Sequence, residues 1–297
     1  MKAPRTRPGA KVAICARDDV TLERARAELA DRAGRTSRVM AAPCDVTDPQ
    51  QVTDLVDRVT RTLGPVDVLI NNAGVIQVGP TEHMQLEDYD EAMRVNFYGP
   101  LHGMLAVVPT MRRRRSGRIV NVASIAGKAP VPHLVPYSAS KFALVGLSEG
   151  MRATLLKDGV YVTTVSPGEM RTGSPPHASF KGDHEAEYAW FATADTVPGA
   201  SMNVDRAARL ILDACRHGDA ELVMPAAAWV QAKLHAVTPA LSTALAGVLE
   251  RALPKAVAEE GDVRRTGMES DSDRTPAPVR EALVRLGGEQ NQRPPAP

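Results

Sequence analysis

Val66-Asp67-Val68-Leu69-Ile70-Asn71-Asn72-Ala73-Gly74 is a run of aliphatic residues that stops at two asparagines and a glycine. The apolar run reads as a buried strand, and Asn-Asn-Ala-Gly suits a turn with positive φ at the strand's carboxyl end. Upstream, Asp48 followed by Pro49 marks a helix start, with Val52, Leu55, Val56 and Val59 on one face. Before it lie a strand at Ser37–Ala42 ending in Cys44-Asp45, a helix over residues 20–33 and a short strand at Lys11–Ala16. Downstream, a helical pattern from Leu86 carries Met93, Phe97 and Leu101, and Pro100 is expected to bend it. Strands at Arg118–Val122, Tyr161–Val165 and Glu221–Met224 alternate with helices at Ser138–Leu156 and Arg206–Arg216. Such alternation predicts an α/β fold with a parallel sheet covered on both faces, and ligands at the carboxyl ends of its strands.

With 297 residues, 43% hydrophobic and 24% charged, the composition is that of a globular chain. A formal charge of +1 gives no support for nucleic acid or an anionic membrane as the main partner. Arg112 to Arg115 reads as a solvated helix end in preference to a phosphate-binding patch. Cys15, Cys44 and Cys215 show no paired spacing, which predicts reduced thiols and a cytoplasmic location. No apolar window is long enough to span a bilayer, so no integral membrane segment is expected, and Leu222–Leu253 reads as amphipathic helix. His177, His184 and Asp183 lack the spacing of a metal site, and none is expected. From about Gly261 the polar, proline-rich composition predicts disorder.

Tyr137-Ser138-Ala139-Ser140-Lys141 puts a phenol and an ammonium four residues apart on one helix face. A free phenol near pKa ~10 is a poor acid or base at neutral pH, and a close ammonium would pull it down. Ser124, just past the strand Arg118–Val122, could hydrogen-bond a carbonyl oxygen or be a turn serine. Asn96, a poor helix former in mid-helix, marks either a local break with a function or a solvated position. His133 reads as a wall of a substrate pocket. Phe180, Tyr188, Trp190 and Phe191 form either a small core beneath a loop or a cover over an apolar substrate.

Val66 to Gly74, Val95-Asn96, Val122-Ala123-Ser124, Tyr137-x-x-x-Lys141 and Ser166-Pro167-Gly168-x-x-x-Thr172 stand in the order and spacing of the short-chain dehydrogenases/reductases, which this chain resembles from Gly9 to about Met224. The resemblance implies a Rossmann-like, doubly wound sheet. It further implies hydride transfer between a nicotinamide dinucleotide and a ketone or secondary alcohol. Tyr137 would be the acid or base, Lys141 its partner and a ribose ligand, Ser124 the carbonyl polariser and Asn96 the holder of a relay water. Asn72, Ala73 and Gly74 would shape the adenosine side and Asp45 would meet the adenine, while Pro167, Gly168 and Thr172 would flank the nicotinamide. Arg17, after Ala16 at a strand end, could pair with a 2′-phosphate or be held by Asp18 in a surface pair; the first reading, favouring NADP over NAD, is preferred.

On this reading residues 1–225 are the dinucleotide-binding and catalytic domain, with 173–203 a substrate lid. Residues 226–256 are an amphipathic helical extension and 257–297 a disordered tail. A homodimer or homotetramer acting on an apolar small molecule is expected. Family members open with a strand and a T-G-x-x-x-G-x-G loop that holds the diphosphate. Nothing before Gly9 resembles these, so both are expected to be missing here and encoded upstream of Met1. The alternative function is a remnant or binding protein without catalysis.

Overall fold

The structure, a computed structural model, describes residues 9–33, 38–171, 174–196 and 201–291. In chain order the first half runs β1 (Val12–Ala16), α1 (Asp19–Ala33), β2 (Val39–Pro43), α2 (Pro49–Leu63), β3 (Val68–Asn71), β4 (Gln77–Val78), α3 (Leu86–Met93) and α4 (Gly99–Arg114). Then follow β5 (Gly117–Val122), α5 (Val135–Leu155), β6 (Val160–Pro167), β7 (Met170–Arg171), β8 (Ser179–Phe180), α6 (His184–Thr196), β9 (Met202–Asn203), α7 (Val204–His217) and β10 (Glu221–Met224). The chain continues through α8 (Ala226–Val237), α9 (Pro239–Glu250), β11 (Arg265–Thr266), α10 (Gly267–Ser270) and α11 (Ala277–Asn291).

The main sheet is parallel, in the order β10-β6-β5-β3, and β1 pairs in parallel with β2 as a separate ribbon. Among the described residues, β1 and β3 each keep one edge without a strand partner. On β3, Val68 and Ile70 remain 45% and 40% exposed, unusual for strand residues in the middle of an α/β domain. The ribbon is tied to the rest by the packing of α2 on α4, by a bond from Lys11 Nζ to the Leu63 carbonyl and by His102 on the Val46 carbonyl. Beneath the main sheet, Met104, Val107, Met111, Ile119, Leu155, Val160 and Val162 are almost wholly buried. Each such side chain contributes roughly 1.5–3 kcal/mol through burial.

Local chemistry explains most boundaries. Asp48 caps α2 by accepting from the amides of Gln50 and Gln51, ahead of Pro49. Asp18 caps the start of α1 through the Thr21 amide. At the end of α4, Arg112 pairs with Asp158 and Arg114 with Asp67, as befits a solvated helix end. The predicted long helix from Leu86 is two helices joined by a π turn at Arg94–Tyr98, and Pro100 opens the second helix, where it needs no amide partner.

The expected disordered tail is corrected by the structure for residues up to Asn291. Arg265–Thr266 adds antiparallel to β8, and Arg264 reaches Asp88 and Glu91. Val279 and Leu283 of α11 enter the same cluster as Phe180, Tyr188 and Phe191. A polar composition concealed a few apolar anchors at helical spacing.

Candidate active site

The turns after β3, β5 and β6 and the first turns of α5 meet at the carboxyl end of the main sheet. Asn71 sends its amide to Asn121 Oδ1 at 2.7 Å, and Asn121 donates in turn to Ser148 Oγ at 2.8 Å. This buried polar row locks β3, β5 and α5 in register.

Tyr137 and Lys141 lie one turn apart on α5, with Lys141 Nζ 5.6 Å from the phenol ring centre. Ser124, at the end of β5, accepts from the Ala126 amide at 3.1 Å and hydrogen-bonds the Tyr137 phenol. Burial pushes the Tyr137 phenol up to about 12. The Ser124 bond opposes that rise, and the carboxyls of Glu169 and Asp195 add to it. Burial alone pulls the Lys141 ammonium down to about 8. Among the described residues its one hydrogen-bond partner is the Val122 carbonyl at 3.0 Å. The ammonium is tied to the strand end, and it is Ser124 that favours the phenolate.

Asn96 is fully buried in the π turn. Its amide donates to the Val75 carbonyl and Ser140 Oγ, both at 3.0 Å, and its carbonyl accepts from the Val75 amide at 3.0 Å. The side chain thus clamps the turn after β3, and the solvated alternative is excluded. A Cβ on Gly74 would stand 3.1 Å from Asn96 Oδ1 and 3.6 Å from Lys141 Nζ. Asn71, Asn72 and Gly74 do not have the positive φ expected of them. Gly74 is needed for space rather than for conformation. Asn72, Ala73 and Gly74 are exposed, forming an open floor beside Lys141. Gly127 serves the opposite wall, where a Cβ would come within 2.6 Å of the Lys141 carbonyl.

Pro167 is buried at the end of β6, and the Gly168 amide donates to the Met224 carbonyl at 2.7 Å. Thr172 lies outside the described residues. Asp45 accepts from the amide and hydroxyl of Thr47, and these bonds, with Arg17 close by, hold its carboxyl below the usual range. Arg17 is exposed at the end of β1, on the two-stranded ribbon. The thiols of Cys15 and Cys44, distant in sequence, are neighbours here.

Several participants carry no sequence signal. Glu169 and Asp195 share a hydrogen bond, and burial with the adjoining carboxyl holds Asp195 well above the carboxylate range. His133 is not the expected pocket wall. It is buried with a left-handed backbone (φ 60°), its Nδ1 bonded to Glu187 and its Nε2 to Glu250 at 3.2 Å. Trp190 Nε1 donates to the same Glu187 at 2.7 Å. Phe180, Tyr188 and Phe191 are buried together, which favours the small-core alternative, while Trp190 and Tyr137 pack partly exposed at its rim.

Burial depresses His133, but the Glu187 bond and the charges of Glu187 and Glu250 more than reverse this, and its pKa is raised above 6.5. A raised histidine contributes stability in full below pH 6.5 and loses it as pH climbs through the folded-state value. Glu187→Gln is thus expected to shrink the fall in Tm between pH 6 and pH 8.5. An unchanged difference, read by scanning calorimetry, would remove His133 from that dependence.

A short chain dehydrogenase profile matches residues 6–178. The chain belongs to the short chain dehydrogenase family. Over 167 residues it is 34% identical to dehydrogenase/reductase SDR family member 7B of Rattus norvegicus, covering 55% of this chain and 51% of that protein. It thus spans about half the length of that relative. An uncharacterised oxidoreductase of Staphylococcus saprophyticus is 34% identical over 164 residues, covering 55% of this chain and 69% of the relative. Among solved structures, a short-chain dehydrogenase from Streptomyces avermitilis superposes with a TM-score of 0.64 at 26% identity, over 82% of this chain and 90% of that one.

Family members take a nicotinamide dinucleotide, and part of the site fits one. The buried Lys141 ammonium has donors to spare above the open Asn72–Gly74 floor, as ribose hydroxyls would require. The other end of such a ligand would meet Asp45 and Arg17, which lie close together on the β1–β2 ribbon. Among the described residues no glycine-rich turn opens a helix between these ends.

Proposed function

We propose that this protein is an NADP(H)-dependent oxidoreductase interconverting an apolar ketone and its secondary alcohol. The observation that carries the reading is the Ser124–Tyr137 hydrogen bond one turn from a buried, cation-bearing Lys141. Bound nicotinamide would supply or accept the hydride. In reduction, Ser124 would hold the substrate oxygen and Tyr137 Oη would give it a proton. In oxidation the phenolate would take that proton back. Lys141 would anchor ribose hydroxyls and stabilise the phenolate, with Asn96 fixing the Gly74–Val75 turn and standing beside the path of a relay water. Asn72, Ala73 and Gly74 would pass along the adenosine side, and Pro167, Gly168 and Thr172 would border the nicotinamide. Ile76, Val131 and Trp190, which like Tyr137 pack partly buried against the Phe180–Phe191 cluster, support an apolar substrate.

Arg17 supports NADP, because it is an exposed guanidinium at a strand end where a 2′-phosphate would lie. Arg17→Ala is expected to weaken NADPH by roughly 1–3 kcal/mol and NADH much less. Equal weakening, by fluorescence titration, would remove Arg17 from that reading. We further propose a cytoplasmic homo-oligomer, and no helix among the described residues is long and apolar enough to cross a membrane. The decisive test is NADPH consumption by the purified protein against a panel of aliphatic and aromatic ketones. No NADPH binding and no turnover would favour a non-catalytic role.

A further inference from the structure

We propose that the α8–α9 hairpin docks this protein on the surface of an anionic lipid bilayer. The amphipathic helix expected at Leu222–Leu253 is two helices of 12 residues folded back at Thr238-Pro239. Their packing is inverted. Toward α8, α9 turns the small residues Ser242 and Ala246, while Leu241, Leu245 and Val248 point to solvent. On α8, Trp229 and Val230 are exposed, and Val237 at the tip is 79% exposed. A water-facing helix buries its large apolar residues. Small residues between helices and large ones outside are what a lipid environment selects. None of the side chains of α9 is buried, so the ridge is not a core awaiting one more contact on a single stripe.

Charge identifies the occupant. From Leu222 to Leu249 there is no Asp or Glu, although the chain carries 35 acids in 297 residues. The charged residues of the hairpin are Lys233 and, at the last position of α9, Glu250; the Lys233 ammonium is 5.8 Å above the Trp229 ring, an arrangement suited to the headgroup level. Arg251 and Lys255 follow directly, and Glu250 is committed to His133. The hydroxyls that would otherwise meet lipid bare are satisfied within the hairpin: Thr238 donates to the Leu234 carbonyl, Thr243 to the Pro239 carbonyl, and Ser242 meets His235. Each helix is about 18 Å long, too short for the ~30 Å hydrocarbon core, so the hairpin would lie in the interface and not span it.

The test is co-sedimentation of the full-length protein with vesicles of phosphatidylcholine alone or with a quarter phosphatidylglycerol. Most of the wild type should pellet with the anionic vesicles, at least tenfold more than with the neutral ones. Leu241→Glu/Leu245→Glu should lose at least tenfold. Because both positions are exposed, Tm should hold. Should that variant fail to fold, Trp190→Phe leaves Trp229 as the one tryptophan, and brominated lipid should quench its emission. Wild-type protein staying in the supernatant with both vesicle types, or Trp229 untouched by brominated lipid, would overturn the proposal. So would a wild-type dimer that the glutamates make monomeric without any vesicle binding, since a second copy would then be the occupant.

Discussion

Tyr137→Phe is expected to lower kcat by about 10³-fold or more while NADPH binding changes by no more than a few-fold. The reaction proposed here needs one proton at the substrate oxygen. A positioned acid contributes typically 10²–10⁴-fold, and among the groups around Ser124 the Tyr137 phenol is the one placed to supply it. Phenylalanine keeps the ring against the apolar cluster of Val78, Leu134 and Phe180, so the pocket wall survives while the proton does not. Steady-state rates and a fluorescence titration on one preparation separate the two quantities. Retention of more than a few per cent of the rate would sink the assignment of Tyr137. Loss of binding to the same extent as rate would mean that the phenol serves mainly as an anchor.

Lys141→Met is expected to cut turnover by at least 10²-fold and yet raise stability near neutral pH. Lys141 is 4% exposed, and burial brings its ammonium from the ordinary 10.5 to about 8. For a lysine with a lowered folded value, the unfolded chain binds the extra proton between the two values. Stability therefore rises with pH from about 8 toward 10, and below 8 the buried charge costs on the order of 3 kcal/mol at most. Above pH 10 the raised Tyr137 works in the opposite direction, because the unfolded phenol ionises first. Methionine fills the same space without the charge. Urea melts at pH 7 and pH 9.5 should show the variant gaining at pH 7 and losing the wild-type slope. A variant less stable than wild type at pH 7, with the slope retained, would show that the ammonium is better compensated than its single carbonyl partner suggests.

The alternation of strands and helices was legible because each segment keeps one period and ends on a recognisable stop, as at Asp48-Pro49 or Asn71 to Gly74. The Tyr137, Lys141 and Ser124 grouping was legible for the same reason, since helix geometry and a strand end fix where three side chains can point. What failed was whatever depends on contacts between distant segments. His133 gave no hint of Glu187 and Glu250, which come from 54 and 117 residues away. The role of Gly74 was misjudged because its constraint is the Asn96 amide rather than its own φ. The helices beyond Gly261 were missed because Val279 and Leu283 find their partners on α6 and β8, and composition averages over such anchors.

The division of the sheet has a mechanical consequence. Asp45 and Arg17 ride on the β1–β2 ribbon, while Ser124, Tyr137 and Lys141 belong to the four-stranded sheet, and no ladder of backbone bonds joins the two among the described residues. The joint rests on α2 against α4 and on a few single bonds such as Lys11 to Leu63. Such a joint behaves as a hinge with its own opening free energy, below that of global unfolding. A ligand long enough to touch both halves would act as a splint across it, so its affinity would carry the cost of holding the hinge shut. Ribbon amides such as those of Val39 to Ala42 would then exchange with solvent sooner than those of Ile119 or Val162 in the free protein, and the two rates would draw together on ligation.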